Sequence, residues 1–124
     1  MIELVKNIKK ITGNTPLVKI SDRLYGKLET YNPSGSVKDR FVVYAVESAI
    51  GSHDINKDTT LIEATSGNTG ISLSMVGAAL GLPVKIIMPS NMSEERKQMM
   101  KRFGAEIIEC DASDFNQAID IRNN

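Results

Sequence analysis

One cysteine, Cys110, is all that this sequence of 124 residues contains. An internal disulfide framework is therefore excluded, and a reducing compartment is the natural setting. An excess of either charge is missing too, because 15 Lys plus Arg balance 15 Asp plus Glu. Nucleic-acid and anionic-membrane binders need a positive surplus, so neither partner is expected. No apolar run approaches the roughly 18 residues of a membrane span. The opening MIELVKNIKK has no apolar h-region and no small-residue cleavage site, so no secretory signal is visible. Histidine occurs once, as His53 in the polar turn GSHDINKD, and reads as surface. With no second His or Cys at ligand spacing, and no His suggested beside Cys110, neither a metal site nor a cysteine nucleophile is expected. Repeats, low-complexity tracts and linkers are likewise absent.

What is present is ordinary globular material, 41% apolar and 24% charged. The expectation is one cytoplasmic α/β domain spanning residues 1–124. Strands are expected at Leu17–Ile20, Leu24–Glu29, Thr60–Ala64, Pro83–Met88 and Ala105–Cys110. Helices are expected at Ser36–Ile50, Asn68–Leu80, Ser93–Phe103 and Asp114–Arg122. Gly81 and Gly104 stand where left-handed terminators belong. Ser93 is a candidate cap, with Glu94 and Glu95 in the first turn and Lys101 and Arg102 in the last, matching the macrodipole. Strands recurring with intervening helices imply parallel βαβ units. The expected architecture has three layers, a mostly parallel sheet of about four strands flanked by helices. The run Phe41–Val46 is apolar all round, so a helix there is expected to be buried on several sides. Met92, Met99 and Met100 near Phe103 read as helix packing.

Two loops offer chemistry. Thr65-Ser66-Gly67-Asn68-Thr69-Gly70 links a strand to a helix. Free amides at a helix start favour an anion, and Gly67 and Gly70 allow a ligand close to the backbone. A plain capped turn has the same composition. Dinucleotide and Walker-type phosphate loops both fail: Thr65 replaces the first glycine of the former, and the latter occurs nowhere. The second loop, Asn32-Pro33-Ser34-Gly35-Ser36-Val37-Lys38-Asp39-Arg40, places Lys38 in the first turn of a helix. A cation there opposes the macrodipole, which favours the neutral amine that imine chemistry needs. A solvated lysine beside Asp39 is the plain alternative.

Taken together, five segments resemble the fold-type II pyridoxal-phosphate enzymes, specifically the cysteine synthases (O-acetylserine sulfhydrylases). They are Thr12-Gly-Asn-Thr-Pro-Leu17, Lys27-Leu-Glu29, Asn32 to Arg40, Glu63-Ala-Thr-Ser-Gly-Asn-Thr-Gly-Ile71 and Met88-Pro-Ser-Asn-Met-Ser-Glu-Glu-Arg96. They occur in the family's order and cover nearly the whole chain; the Glu-Ala-Thr and Asn-Met-Ser variants look like the cysteine synthase B subgroup. The resemblance implies that Lys38 holds the cofactor, pyridoxal 5′-phosphate, through a Schiff base. It implies that Thr65, Ser66, Asn68 and Thr69 bind the substrate α-carboxylate, with Asn68 also near the cofactor's 3′ oxygen, while Asn32 is structural. The implied reaction is β-replacement of acetate on O-acetylserine, or a similarly activated serine, by a sulfur donor to give cysteine.

The family is much longer than this chain. The match corresponds to its N-terminal arm (residues 1–20) and smaller domain (21–124). The large cofactor-anchoring domain, with its glycine-rich phosphate loop and a late Ser or Thr at the pyridine nitrogen, has no counterpart. Between Lys19 and Leu24 the chain is also shorter than family members usually are. Weak cofactor binding and little activity alone are therefore expected, together with a homo-oligomer or a complex with a complementary or full-length chain. Because cysteine synthases are bound by peptide C-termini at the same loop, the resemblance also permits a non-enzymatic carboxylate- or peptide-binding module.

Overall fold

The computed structural model describes residues 1–111 and 115–123. Its elements run α1 (Ile2–Ile11), β1 (Leu17–Ser21), β2 (Leu24–Lys27), a 3-10 turn (Glu29–Tyr31), α2 (Lys38–Gly51), β3 (Leu61–Ala64), α3 (Asn68–Leu80), β4 (Val84–Pro89), α4 (Glu94–Arg102), β5 (Glu106–Cys110) and α5 (Phe115–Asn123). The fold is α/β, and among the described residues its parallel sheet has three strands in the order β3-β4-β5. Strands β1 and β2 do not extend that sheet; they pair with each other as an antiparallel hairpin. The short Ser21-to-Leu24 connection is what makes the tight reversal possible, because these two residues are themselves paired.

The period of two along β4 divides the core. Val84, Ile86 and Met88 point to the side of α3 and α4, where they join Ile71, Val76, Leu80 and Met100, with α1 and α2 packed behind. Ile87 points the other way and meets Cys110 and Ala118 of α5. A central parallel strand covered on both faces is buried on both, which is why VKIIMP shows no regular alternation and carries a single charge, the half-buried Lys85.

The helix ends follow from local chemistry. Gly81 and Gly104 close α3 and α4 in the left-handed region, at φ of 70° and 84°. Ser93 does occupy the cap position of α4, but its side chain makes no capping bond to a helix amide. The Glu95 backbone amide, and after it the Ser93 hydroxyl, hold the Glu95 carboxyl below its usual range against burial.

Three features depart from the sequence-based expectation. Residues 2–11, expected as part of an arm, form α1, which docks on α2 and α3 through the fully buried Val5. Helix α2 is not buried on several sides: Val42, Val43 and Val46 face the core, while Phe41 and Tyr44 are 60% and 67% exposed. Gly70 does not open the backbone to a ligand. A Cβ there would lie 2.7 Å from Thr65 Cγ2 and 2.9 Å from Met100 Cε, so its smallness serves the seating of α3 on the sheet. His53 is exposed and adopts φ 67°, as suits a polar turn. The start expected for the last helix, Asp114, lies outside the described residues.

Candidate functional site

Residues 32–37 form a turn held from both ends. The carbonyl of Asn32 accepts the Gly35 amide at 2.8 Å, and Gly35 takes φ 89°, a conformation suited to glycine. Asp39, fully buried one residue into α2, reaches back to accept the Ser34 amide at 2.7 Å and the Ser34 hydroxyl. A buried carboxylate is tolerated because those donors replace water. Ser36 Oγ accepts the Lys38 amide at 3.2 Å. Lys38 is thereby fixed as the first residue of α2, with its side chain exposed and its amine free of any hydrogen bond or ion pair among the described residues.

A second turn precedes α3. The Thr65 amide continues the strand ladder by donating to the Ile87 carbonyl at 3.0 Å. Its buried hydroxyl accepts the Gly67 amide at 3.3 Å. The first helical bond of α3 runs from Ile71 to Gly67, so the amides of Asn68, Thr69 and Gly70 have no acceptor among the described residues. Ser66 and Asn68 are exposed, Thr69 is half-buried, and Thr65 and Gly67 are buried. From α4, Arg96 Nη1 lies 3.4 Å from the Ser66 carbonyl, across the outer side of this turn.

The two turns border a shared space. A cleft of about 550 Å³ is walled by Lys27–Thr30 on one side and by Gly35, Ser36 and Val37 on another, with Asn68 contributed from α3. Its size suits a small organic ligand. Thr69 faces elsewhere, onto an apolar groove of about 160 Å³ between α2, β3 and α3, lined by Phe41, Leu61 and Leu73 among others. Of the residues singled out from the sequence, the structure brings Asn68 to the cleft that ends at Val37, next to Lys38. Thr65 turns inward, Ser66 lies beneath Arg96, and Thr69 borders the neighbouring groove.

Behind the cleft lies a polar network that the sequence reading passed over. Arg40 Nε and Nη2 donate to the two oxygens of Glu29 at 2.9 and 3.0 Å. Thr15 Oγ1 and Asn32 Nδ2 each donate to Glu29 at 2.8 Å. The Arg40 hydrogen bonds lead in lowering the Glu29 carboxyl from 4.5 to about 2, with Thr15 and Asn32 adding to the effect against burial.

A family model described as pyridoxal-phosphate dependent enzyme matches residues 8–123. Cysteine synthase of Aquifex aeolicus is 46% identical over 86% of this chain and 36% of that protein. Cysteine synthase B of Escherichia coli is 43% identical over 84% of this chain and 37% of that one. The chain thus spans little more than a third of the length of these relatives. Among solved structures, a hydrogen sulfide-producing enzyme of Fusobacterium nucleatum superposes with a TM-score of 0.85 at 43% identity, covering 92% of this chain and 40% of that chain. A cysteine synthase of Entamoeba histolytica gives 0.86 at 41% identity, covering 94% and 38%. The chain belongs to the pyridoxal-phosphate dependent enzyme family, in its cysteine synthase-like (O-acetylserine sulfhydrylase-like) branch.

Proposed function

We propose that this chain carries the amine and the carboxylate-binding turn of a β-replacement site for O-acetylserine or a similarly activated serine. The observation that supports this most is the shared cleft, with the turn leading into Lys38 on one wall and Asn68 across it. Pyridoxal phosphate fits the donor set: an unpartnered primary amine for its aldehyde and an Asn side chain for a ring oxygen. When bound, the cofactor supplies an electron sink for charge developing at the substrate Cα.

Lys38 Nζ is exposed and has no hydrogen bond or ion pair among the described residues, so it would hold the cofactor through its aldehyde and, once released by the substrate amine, would serve as the base for the substrate α-proton. The free amides of Asn68 and Thr69, at the positive end of α3, hold the α-carboxylate, and the Asn68 side chain, at the cleft, orients it. Thr65 acts from beneath, its hydroxyl fixing the turn through Gly67. Sulfur then replaces acetate at Cβ. Because this chain spans about a third of the Aquifex relative, little turnover is expected from it alone.

The apolar hairpin residues Leu17, Ile20, Leu24 and Tyr25 are each more than half exposed, as are Phe41 and Tyr44. Unpartnered apolar surface of that extent suits self-association or docking of a complementary chain. A mass above monomer by light scattering supports this, and a monomer at micromolar concentration opposes it. A second reading, a carboxylate- or peptide-binding module without catalysis, is favoured by one detail: the turn before α3 is built independently of Lys38.

Visible absorbance on adding pyridoxal phosphate, lost in Lys38→Ala, supports the first reading. Binding of acetate or a peptide C-terminus that survives Lys38→Ala but fails in Asn68→Ala supports the second. Absence of both responses in the folded chain removes both.

A further inference from the structure

The network behind the cleft draws on segments far apart in sequence. Glu29 follows β2, Arg40 lies in the first turn of α2, and Thr15 and Asn32 come from the connections on either side of the hairpin. Thr15 and Asn32 are only 5% and 3% exposed. Glu29 accepts from all three partners, and Asn32 passes the connection on by accepting the Gly13 amide at 2.8 Å. Gly13 is confined as well: it takes φ 80°, and a Cβ there would lie 2.7 Å from Arg40 Nη1.

The position of this pair distinguishes it from an ordinary surface bridge. Glu29 belongs to one wall of the cleft, Lys27–Thr30. Arg40 is anchored two residues after Lys38, on the helix that continues the opposite wall. A fork-to-fork contact fixes both distance and orientation, which a single ammonium contact does not. The Lys9–Glu47 bridge, at 2.6 Å between α1 and α2, makes one contact and touches neither wall.

We propose that the Glu29–Arg40 pair is a positioning device for Lys38, setting the first turn of α2 against the Lys27–Thr30 wall so that the amine meets a carbonyl in the cleft. It rests on the reading of Lys38 given above. Arg40 and Glu29 touch no reacting atom in this scheme; they act through the backbone of the turn. Thr15 and Asn32 orient the carboxylate, and Gly13 leaves room for the guanidinium.

The test measures how fast Lys38 attaches to added pyridoxal phosphate in the 124-residue chain, followed by absorbance and mapped by borohydride trapping. Small misplacements of a reacting group slow reactions by up to about 100-fold. Arg40→Gln and Glu29→Gln are each expected to slow attachment by about 10-fold to 100-fold. Arg40→Lys, which keeps charge but not the fork, recovers only part of the rate. Gly13→Ala, which wedges the guanidinium aside, behaves like Arg40→Gln. Lys9→Gln breaks the ion pair that links α1 to Glu47 of α2 without affecting the rate, which separates positioning from general loosening.

An unchanged rate in Arg40→Gln overturns the proposal. If the parent chain forms no Lys38 adduct, the reading of Lys38 fails instead, and the clamp is judged by amide hydrogen exchange. Faster exchange confined to residues 34–38 in Arg40→Gln supports it; unchanged exchange there overturns it.

Discussion

Arg96 reaches from α4 to Ser66 in the turn before α3, Nη1 to carbonyl oxygen at 3.4 Å, and its guanidinium carbon lies 3.5 Å from where a Cβ of Gly67 would stand. The turn is thus covered on its outer side by a cation and held inside by the Thr65 hydroxyl. The two glycines of this segment face different surroundings and predict different costs. At Gly67 a methyl meets only ordinary contacts, all at 3.5 Å or beyond. Gly67→Ala is expected to change stability by less than about 0.5 kcal/mol. Gly70→Ala places a methyl against Thr65, Met100 and Ile86, and is expected to cost about 1–3 kcal/mol. Urea midpoints of the two variants decide between these environments.

Asn68 is exposed at the lip of the cleft and is the first residue of α3. Its removal takes away a polar contact to ligand but no packing. Asn68→Ala is therefore expected to weaken binding of a small carboxylate about tenfold, the equivalent of one charge-assisted hydrogen bond, while leaving the melting temperature unchanged. Titration by amide chemical shifts of residues 66–70 measures both the affinity and the location. An equal affinity in Asn68→Ala assigns the carboxylate to some other group.

Acid sensitivity follows from Glu29. Its carboxyl is lowered from 4.5 to about 2 in the folded chain, so the unfolded chain binds more protons between those values. The stability it contributes is complete above 4.5 and is lost as the pH falls toward about 2. Glu109, lowered first by its hydrogen bond to Lys97, acts in the same direction. Urea midpoints measured across this range should fall with pH in the parent chain and fall less steeply in Glu29→Gln. Equal slopes would show that the network does not hold in solution.

How far the sequence carried depended on whether a signal was local. Helix α3 was readable to the residue because Gly81 marks its end and a polar turn its start. Helix α4 was readable from Ser93 and Gly104 for the same reason. Helix α1 was passed over although Ile2, Val5 and Ile8 recur at helical spacing; so short a helix holds only once it docks through Val5. Phe41 and Tyr44 looked like core because composition carries no information about which side of α2 has a neighbour. The turns around Lys38 and Asn68 were visible as motifs, but the cleft between them, and the clamp behind it, depend on contacts such as Arg40 to Glu29 across 11 positions. No periodicity reports such a contact.

Lys97 offers the last test, since it binds the segment that carries Arg96. Its side chain is 6% exposed, and its ammonium bonds the Ser90 carbonyl at 2.8 Å, Glu109 at 2.8 Å and Glu94 at 3.2 Å. These contacts tie the start of α4 to the end of β4 and to β5. The Glu109 hydrogen bond leads in raising the Lys97 amine above 10.5, against burial, so its contribution persists at neutral pH and is lost only as the pH climbs past that value. Lys97→Ala removes the charge and the buried stem together, leaving the Ser90 carbonyl without its donor. Lys97→Met keeps the stem and loses only the charge, so it is expected to be the milder change. Both should loosen α4 and, through Arg96, the Ser66 turn, so carboxylate affinity falls in step with the urea midpoint. A variant that loses stability yet binds carboxylate as the parent chain does would show that the turn keeps its shape without α4, and that the Thr65–Gly67 bond alone suffices to hold it.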